Sequence, residues 1–315
     1  MRLPPAFQEL LFSGRAAMGR TAIGGMSWST ALRLGRVSNL PTVWTNVLAG
    51  IVLSGAAVTA PSAVLLLLSL SLFYVAGMFL NDAFDSEFDR HTRPDRPIPA
   101  GEVTAVAVFT YGFGLLAFGF ALLLAFGYGM PAGTGWRAPL GGAILAAAIV
   151  LYDGWHKANP VSPFLMGLCR LLVYLVAGLA VAGVLPERLL LAALVSLSYL
   201  IGLTYVAKQE SLRRVENLWP LLFLAAPFAY GVPFAVESGT ALALYLFLLG
   251  ALGVSLILLF RPDVPDVPHA MMLLIAGISL LDGLFMAGQG QVLLAGVAVA
   301  AFFLTLAFQR FVAGT

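Results

Sequence analysis

The sequence predicts an all-α, polytopic transmembrane bundle of nine to ten spans. Three observations carry that expectation. Of 315 residues, 60% are hydrophobic and only 10% charged, where an ordinary soluble domain carries about 25% charge. The mean hydropathy is +0.95. The apolar runs are continuous over roughly 20 residues, the length of a membrane-crossing helix, rather than alternating as in a barrel strand. Seventeen basic and fifteen acidic residues cannot coat a soluble body of this size, which excludes a soluble enzyme, a disordered chain and a nucleic-acid-binding module.

Ten spans are expected, at 39–58, 62–83, 103–127, 139–155, 161–184, 188–207, 217–236, 240–260, 270–287 and 291–309. In the last four, Pro227, Pro233, Asp282 and Gly288 interrupt the apolar pattern. The basic residues test the count. With the N-terminus inside, 14 of the 17 Arg and Lys residues fall on the cytoplasmic side, Arg137 and Arg188 fall outside, and Arg170 lies within a span. The positive-inside rule therefore favours ten spans with both ends cytoplasmic. Losing one span near the C-terminus would displace only Arg261 or Arg310, so nine stays open. Residues 1–37 carry five arginines and Glu9 without a cleavable apolar core, and read as a cytoplasmic or interfacial segment ahead of a transmembrane domain at 38–315. Cys169 is the single cysteine, which excludes a disulfide framework and a thiolate metal site. The dominance of Arg over Lys hints at a GC-rich bacterial genome, hence an inner-membrane protein.

The acidic residues are not spread evenly. Six of fifteen lie within 82–102: Asp82, Asp85, Glu87, Asp89, Asp95 and Glu102. Asp82, Asp85 and Asp89 are spaced i, i+3, i+7 and share one helical face. Three carboxylates on one face repel each other unless a cation sits among them, and Mg²⁺ takes oxygen ligands and bridges to phosphates. With Arg90, Arg93 and Arg96 alongside, the cluster suggests a diphosphate site at the cytoplasmic end of a span. The plain alternative is a solvated loop.

Other polar residues interrupt the spans. Asn39, Thr42 and Asn46 repeat the i, i+3, i+7 spacing in the first, where interhelical hydrogen bonding is the ordinary reading. The fourth span closes on Tyr152-Asp153-Gly154-Trp155-His156-Lys157. Here Tyr152 with His156, and Asp153 with Lys157, are i, i+4 neighbours. Arg170 lies about ten residues into the fifth span, a costly depth for a charge. It either faces a polar cavity or pairs with a buried acid such as Asp282.

The run Asn81-Asp82-x-x-Asp85-x-x-x-Asp89, followed by Arg93-Pro-Asp-Arg96-Pro-Ile-Pro-x-Gly101, resembles the first aspartate-rich motif of the UbiA superfamily of intramembrane prenyltransferases. The resemblance covers about twenty positions, and the multi-span architecture agrees over most of the chain. It implies that Asp82, Asp85 and Asp89 hold Mg²⁺ against a prenyl diphosphate, with Asp82, Asp85, Lys157 and Lys208 in the catalytic set. Asn46, Asn81, Arg93, Tyr152, His156, Arg170, Tyr205 and Glu210 would bind substrate. The implied partners are a prenyl diphosphate, a small hydrophobic acceptor, aromatic or otherwise, and membrane lipid.

That family carries a second Asp-x-x-x-Asp motif after its sixth helix. Here the place reads Thr204-Tyr205-Val-Ala-Lys208-Gln209-Glu210-Ser211-Leu-Arg213-Arg214-Val-Glu216. No Asp is present. In one reading Lys208 replaces a metal ion as a fixed cation, with Glu210 a remaining ligand. In the other, turnover is lost and the chain is a scaffold or carrier for an isoprenoid or natural-product intermediate. The combination Tyr-Asp-x-x-His-Lys, Gly-Leu-Cys-Arg and Thr-Tyr-x-Ala-Lys-Gln-Glu resembles the EboC-like branch of the superfamily. Asp153-Gly154 with Gly167 begins the pattern of CDP-alcohol phosphotransferases. Lys157, Ala158, Leu171 and Leu175 stand where that pattern needs Ala-Arg and two aspartates, which excludes it. No inverted repeat supports a secondary transporter.

Overall fold

The computed structural model describes residues 26–56, 59–157, 159–208, 219–261 and 266–314. Regular structure among them is helical throughout. A short helix α1 (Trp28–Leu34) precedes α2 (Leu40–Ser54), α3 (Ala60–Thr92), α4 (Ala105–Gly129), α5 (Arg137–Trp155), α6 (Ser162–Val181) and α7 (Glu187–Lys208). A 3₁₀ run (Trp219–Ala225) then leads into α8 (Ala226–Glu237), followed by α9 (Gly239–Leu259), α10 (Val267–Gly288) and α11 (Val292–Gln309). Ten of these segments are long and apolar enough to cross a membrane. They match the ten expected spans in order.

The helix ends follow local chemistry. Thr104, Ser238 and Asp266 each accept a hydrogen bond from the backbone N–H three residues on, starting α4, α9 and α10. Pro41, Pro61, Pro163, Pro227 and Pro268 occupy first turns, where a missing N–H costs nothing. Pro220 within the run and Pro227 at the start of α8 fit a seventh span that begins as a 3₁₀ run, while Pro233 lies inside α8. The 33 residues of α3 extend about 50 Å, well beyond a hydrocarbon core of about 30 Å. Its acidic last turns therefore stand clear of the hydrocarbon.

Helix α10 is the centre of the bundle, packed against α2, α7, α8, α9 and α11. Helix α2 lies between it and α6. The approach of α2 to α6 depends on Gly50, where an added Cβ would lie 2.9 Å from the Tyr174 carbonyl oxygen and 2.9 Å from the Ala177 Cβ. The alternation of spans brings the starts of α2, α6 and α10 and the ends of α3, α5 and α7 to one end of the bundle. Nine of the twelve Arg and Lys residues at described positions sit at that end, two at the other, with Arg170 between.

Candidate active site

A basin opens at the basic end, walled by α3, α5, α6, α7 and α10. Arg36, Asn81, Asp85, Arg93, Arg96, Tyr152, His156, Lys157 and Arg170 all line it. An apolar cleft runs deeper between α3, α5 and α6, lined by Leu70, Phe73, Gly77, Leu145, Ile149 and Val173. The basin and the cleft share Tyr74, Met78, Tyr152, Met166, Arg170 and Leu200, so they are continuous.

Asp82, Asp85 and Asp89 share one buried face of α3, as their spacing predicts. The cations among them are side chains. Asp82 accepts from Arg36 at 3.0 Å and from Arg96 at 3.1 Å. Asp89 accepts from the same Arg96 nitrogen at 2.9 Å. Arg96 thus bridges two acids two helical turns apart. Of the three carboxylates expected to gather one Mg²⁺, Asp82 through Oδ1 and Asp89 through Oδ2 are paired with guanidinium groups here. Among the described residues, no three His, Cys, Asp or Glu side chains converge as a metal cage.

Asp85 differs. Its Oδ2 accepts from Lys157 Nζ at 3.0 Å and lies 3.2 Å from His156 Nε2, while its buried Oδ1 has no partner. Lys157 Nζ also sits 4.1 Å above the Phe88 ring, which fixes its approach. Asn81, one turn before Asp85, donates from Nδ2 to Asp153 Oδ1 at 3.2 Å. Arg36, which closes the basin from the α1–α2 link, is held in a left-handed conformation at φ 40°, a strained state for a non-glycine residue. Beside it, the Arg33 guanidinium and the Thr30 hydroxyl hold the Glu102 carboxyl below the usual carboxylate range.

The end of α5 keeps one expected pair and departs from the other. Tyr152 and His156 stack, with ring centroids 5.0 Å apart. Asp153 does not pair with Lys157 at an exposed surface. Helix α5 ends at Trp155, so Lys157 leaves the helical register and turns to Asp85, while Asp153 points inward at 4% exposure.

Arg170 faces both the basin and the cleft, as a cavity role requires. It does not touch Asp282. It donates to Asn46 Oδ1 at 2.6 Å, and Asn46 donates from Nδ2 to Asp282 Oδ2 at 2.6 Å. Thr45 and Tyr174 also donate to Asp282. Asn46, expected to contact substrate, is instead fully buried behind Arg170 and tethers it to α10. On α7 the expectation was Tyr205, yet Thr204 lines the basin, with a buried hydroxyl that has no partner. One residue turns the face by about 100°. The backbone of Lys208 ends α7, and Glu210 lies outside the described residues. The sequence placed Arg96 only in the arginine group beside the motif and did not single out Arg36, Tyr74, Asp153 or Thr204 as site residues. Only Asp153 and Arg96 carried a signal, through their places inside the two motifs.

Comparison with known proteins agrees with this architecture. Residues 42–314 match the UbiA prenyltransferase family, and the chain belongs to that family. It is 27% identical over 275 residues to the digeranylgeranylglyceryl phosphate synthase of Methanopyrus kandleri, covering 82% of this chain and 92% of that one. To the synthase of the same name from Methanoculleus marisnigri it is 35% identical over 97 residues, 31% of this chain and 34% of that one. The match to the Methanoregula boonei synthase spans 44% of that protein. A UbiA homologue of known structure from Archaeoglobus fulgidus superposes with a TM-score of 0.57 at 19% identity, covering 84% of this chain and 98% of that one. A solved digeranylgeranylglyceryl phosphate synthase structure gives a TM-score of 0.57 at 22% identity, over 82% and 97% of the two chains. The protein is an integral membrane member of this family.

Proposed function

We propose that the chain is an intramembrane prenyltransferase that moves an isoprenyl group from a metal-bound prenyl diphosphate to a small hydrophobic acceptor. One observation carries this reading. A buried carboxylate, Asp85, keeps one oxygen unpartnered on the wall of a basic basin that opens into an apolar cleft. The basin offers charge for a diphosphate and the cleft offers a water-poor path for its tail. The named relatives make a glyceryl phosphate carrying two prenyl groups, so that acceptor class stands beside an aromatic one.

Asn81 and the free oxygen of Asp85 fit Mg²⁺, which commonly uses one or two carboxylates and completes its shell with substrate oxygens and water. When bound, the ion would draw charge from the leaving diphosphate. Lys157 and Arg93 line the basin where they would meet diphosphate oxygens. Tyr152 and Arg170 stand at the junction of basin and cleft, where the reacting carbon would lie. The allylic C–O bond breaks, with its electron pair leaving on the diphosphate. The acceptor then bonds the allylic carbon and loses a proton, for which the released diphosphate is an available base. Asp82, Asp89, Arg36 and Arg96 form the frame that holds this end of α3. The excess of Arg and Lys at the basin end supports an orientation with the basin toward the cytoplasm.

The test is binding of a non-hydrolysable prenyl diphosphate analogue to purified protein, with and without Mg²⁺. Mg²⁺-dependent binding lost in Asp85→Asn supports the reading. Binding indifferent to both favours a carrier, for which the altered second motif is the supporting observation.

A further inference from the structure

Buried acids in this bundle divide by how their oxygens are satisfied. Asp282, at the centre, has Oδ2 occupied by Thr45 and Asn46 and Oδ1 by Tyr174. Asp82 and Asp89 have guanidinium partners. Among the described residues, two carboxylate oxygens are buried without any partner: Oδ1 of Asp85 and Oδ2 of Asp153. They are neighbours through one side chain. Asn81 sits one turn before Asp85 on α3 and donates to the other oxygen of Asp153 at 3.2 Å. Asp85 is 3% exposed and Asp153 4%.

We propose that Asp153 is a further metal ligand, joining Asn81 and Asp85 so that one divalent cation is held between α3 and α5. The inference deepens the prenyltransferase reading and rests on it for the ion's role in the reaction, though the ion's binding is measurable alone. Three features support it. A buried carboxylate with an unsatisfied oxygen is costly unless a charge compensates it, and the nearby cations are committed elsewhere. Lys157 goes to Asp85, Arg36 and Arg96 to Asp82, and Arg170 to Asn46 and Thr42. Asn81 donates Nδ2 to Asp153 and accepts at Oδ1 only a long 3.5 Å bond from Arg36, so turning its oxygen toward an ion gives up little. The stretch 204–217, where the family's second motif would fall, contains no aspartate, and a third ligand from α5 supplies acidic density from the opposite wall.

The experiment is Mn²⁺ titration of the purified full chain in detergent, read by the loss of the free-ion paramagnetic resonance signal, with no prenyl diphosphate present. Asp153→Asn is expected to weaken Mn²⁺ at least tenfold, and Asp85→Asn likewise, while Glu102→Gln on the exposed loop leaves it unchanged. Thermal unfolding supplies a second readout that does not depend on ion affinity. Asparagine keeps the acceptor for Asn81 and removes an uncompensated charge. Asp153→Asn should therefore unfold at a higher temperature than the parent in chelator and lose the parent's Mg²⁺-dependent rise. If Asp85→Asn abolishes Mn²⁺ binding and Asp153→Asn leaves it intact, the inference fails and the prenyltransferase reading stands. If the parent itself binds no Mn²⁺, both the inference and the metal-dependent reading fail.

Discussion

Replacing Arg96 with alanine tests whether Asp82 and Asp89 are structural counterions or metal ligands. Arg96 is 17% exposed, Asp82 8% and Asp89 2% in their side chains. Removing the guanidinium leaves Asp82 with Arg36, but Asp89 loses the ion pair the structure gives it. Breaking a fully buried pair costs about 3–5 kcal/mol, and an exposed pair contributes at most about 1 kcal/mol. Asp89 lies near an open basin that water can enter once the side chain is gone, so about 2–3 kcal/mol is expected. For a chain of this length each kcal/mol moves Tm by about 2 °C, giving a fall of about 5 °C in detergent. Asp89→Asn alone keeps an acceptor for Arg96 and should cost about 1 kcal/mol. The double variant R96A/D89N should recover roughly half of the loss in R96A, because no unpaired charge remains buried. Mn²⁺ affinity in R96A should stay within about twofold of the parent, since each tenfold change corresponds to about 1.4 kcal/mol of ligand contact that Arg96 does not supply. A Tm within 1 °C of the parent, or losses that simply add in the double variant, would refute the counterion account. Markedly tighter Mn²⁺ binding in R96A would return Asp82 and Asp89 to the metal site.

Three further outcomes follow from the packing. Asp282→Leu leaves the donors of Thr45, Asn46 and Tyr174 facing an apolar group; the cost should be about 2–4 kcal/mol, read as a large drop in Tm, while Asp282→Asn keeps a carbonyl oxygen and loses less. Gly50→Leu forces α2 away from the Tyr174 carbonyl, and at about 1–3 kcal/mol of overpacking it should lower Tm and the yield of folded protein, with Leu→Ala changes on the outer face of α9 as unaffected controls. Lys157→Ala should weaken the prenyl diphosphate analogue about tenfold, the scale of one charge-assisted contact, and Lys157→Arg should restore part of it. Equal loss in both variants would mean the basin does not use that charge.

The bundle was legible because bilayer physics leaves strong traces. Each span needs a continuous apolar run, and the flanking arginines record its direction, so the count of ten followed even where the proline-bearing seventh span starts as a 3₁₀ run. The motif on α3 was legible because 3.6-residue periodicity places Asp82, Asp85 and Asp89 on one face whatever the tertiary structure. Their partners were not. Arg36 reads in sequence as one more positive-inside anchor, and nothing local shows that it folds back in a left-handed turn to reach Asp82. Lys157 reads as a helical partner of Asp153 only while α5 is assumed to continue; the helix stops two residues earlier and the pairing changes. The Arg170–Asn46–Asp282 chain joins three helices separated by more than a hundred residues. One sequence encodes such contacts only as isolated polar residues in apolar spans.

A membrane interior penalises every unpaired charge, so the satisfaction of each acid indicates its role. Asp282 is saturated by neutral donors and reaches the cavities only through Asn46 and Arg170, which makes it a fixed anchor for the guanidinium. Asp82 through Oδ1 and Asp89 through Oδ2 are paired with arginine and hold the basin's rim together through Arg96. Had all three motif carboxylates been left open toward one ion, the end of α3 would carry strong mutual repulsion whenever the ion was absent. Bridging two of them with arginine relieves that repulsion without an ion and leaves Asp85 as the motif carboxylate that the proposed reading assigns to one. The division explains how a motif of three aspartates works with few unpaired oxygens. It also leaves the unpartnered oxygens of Asp85 and Asp153 between the ends of α3 and α5, where the proposed reading puts the cation and the diphosphate.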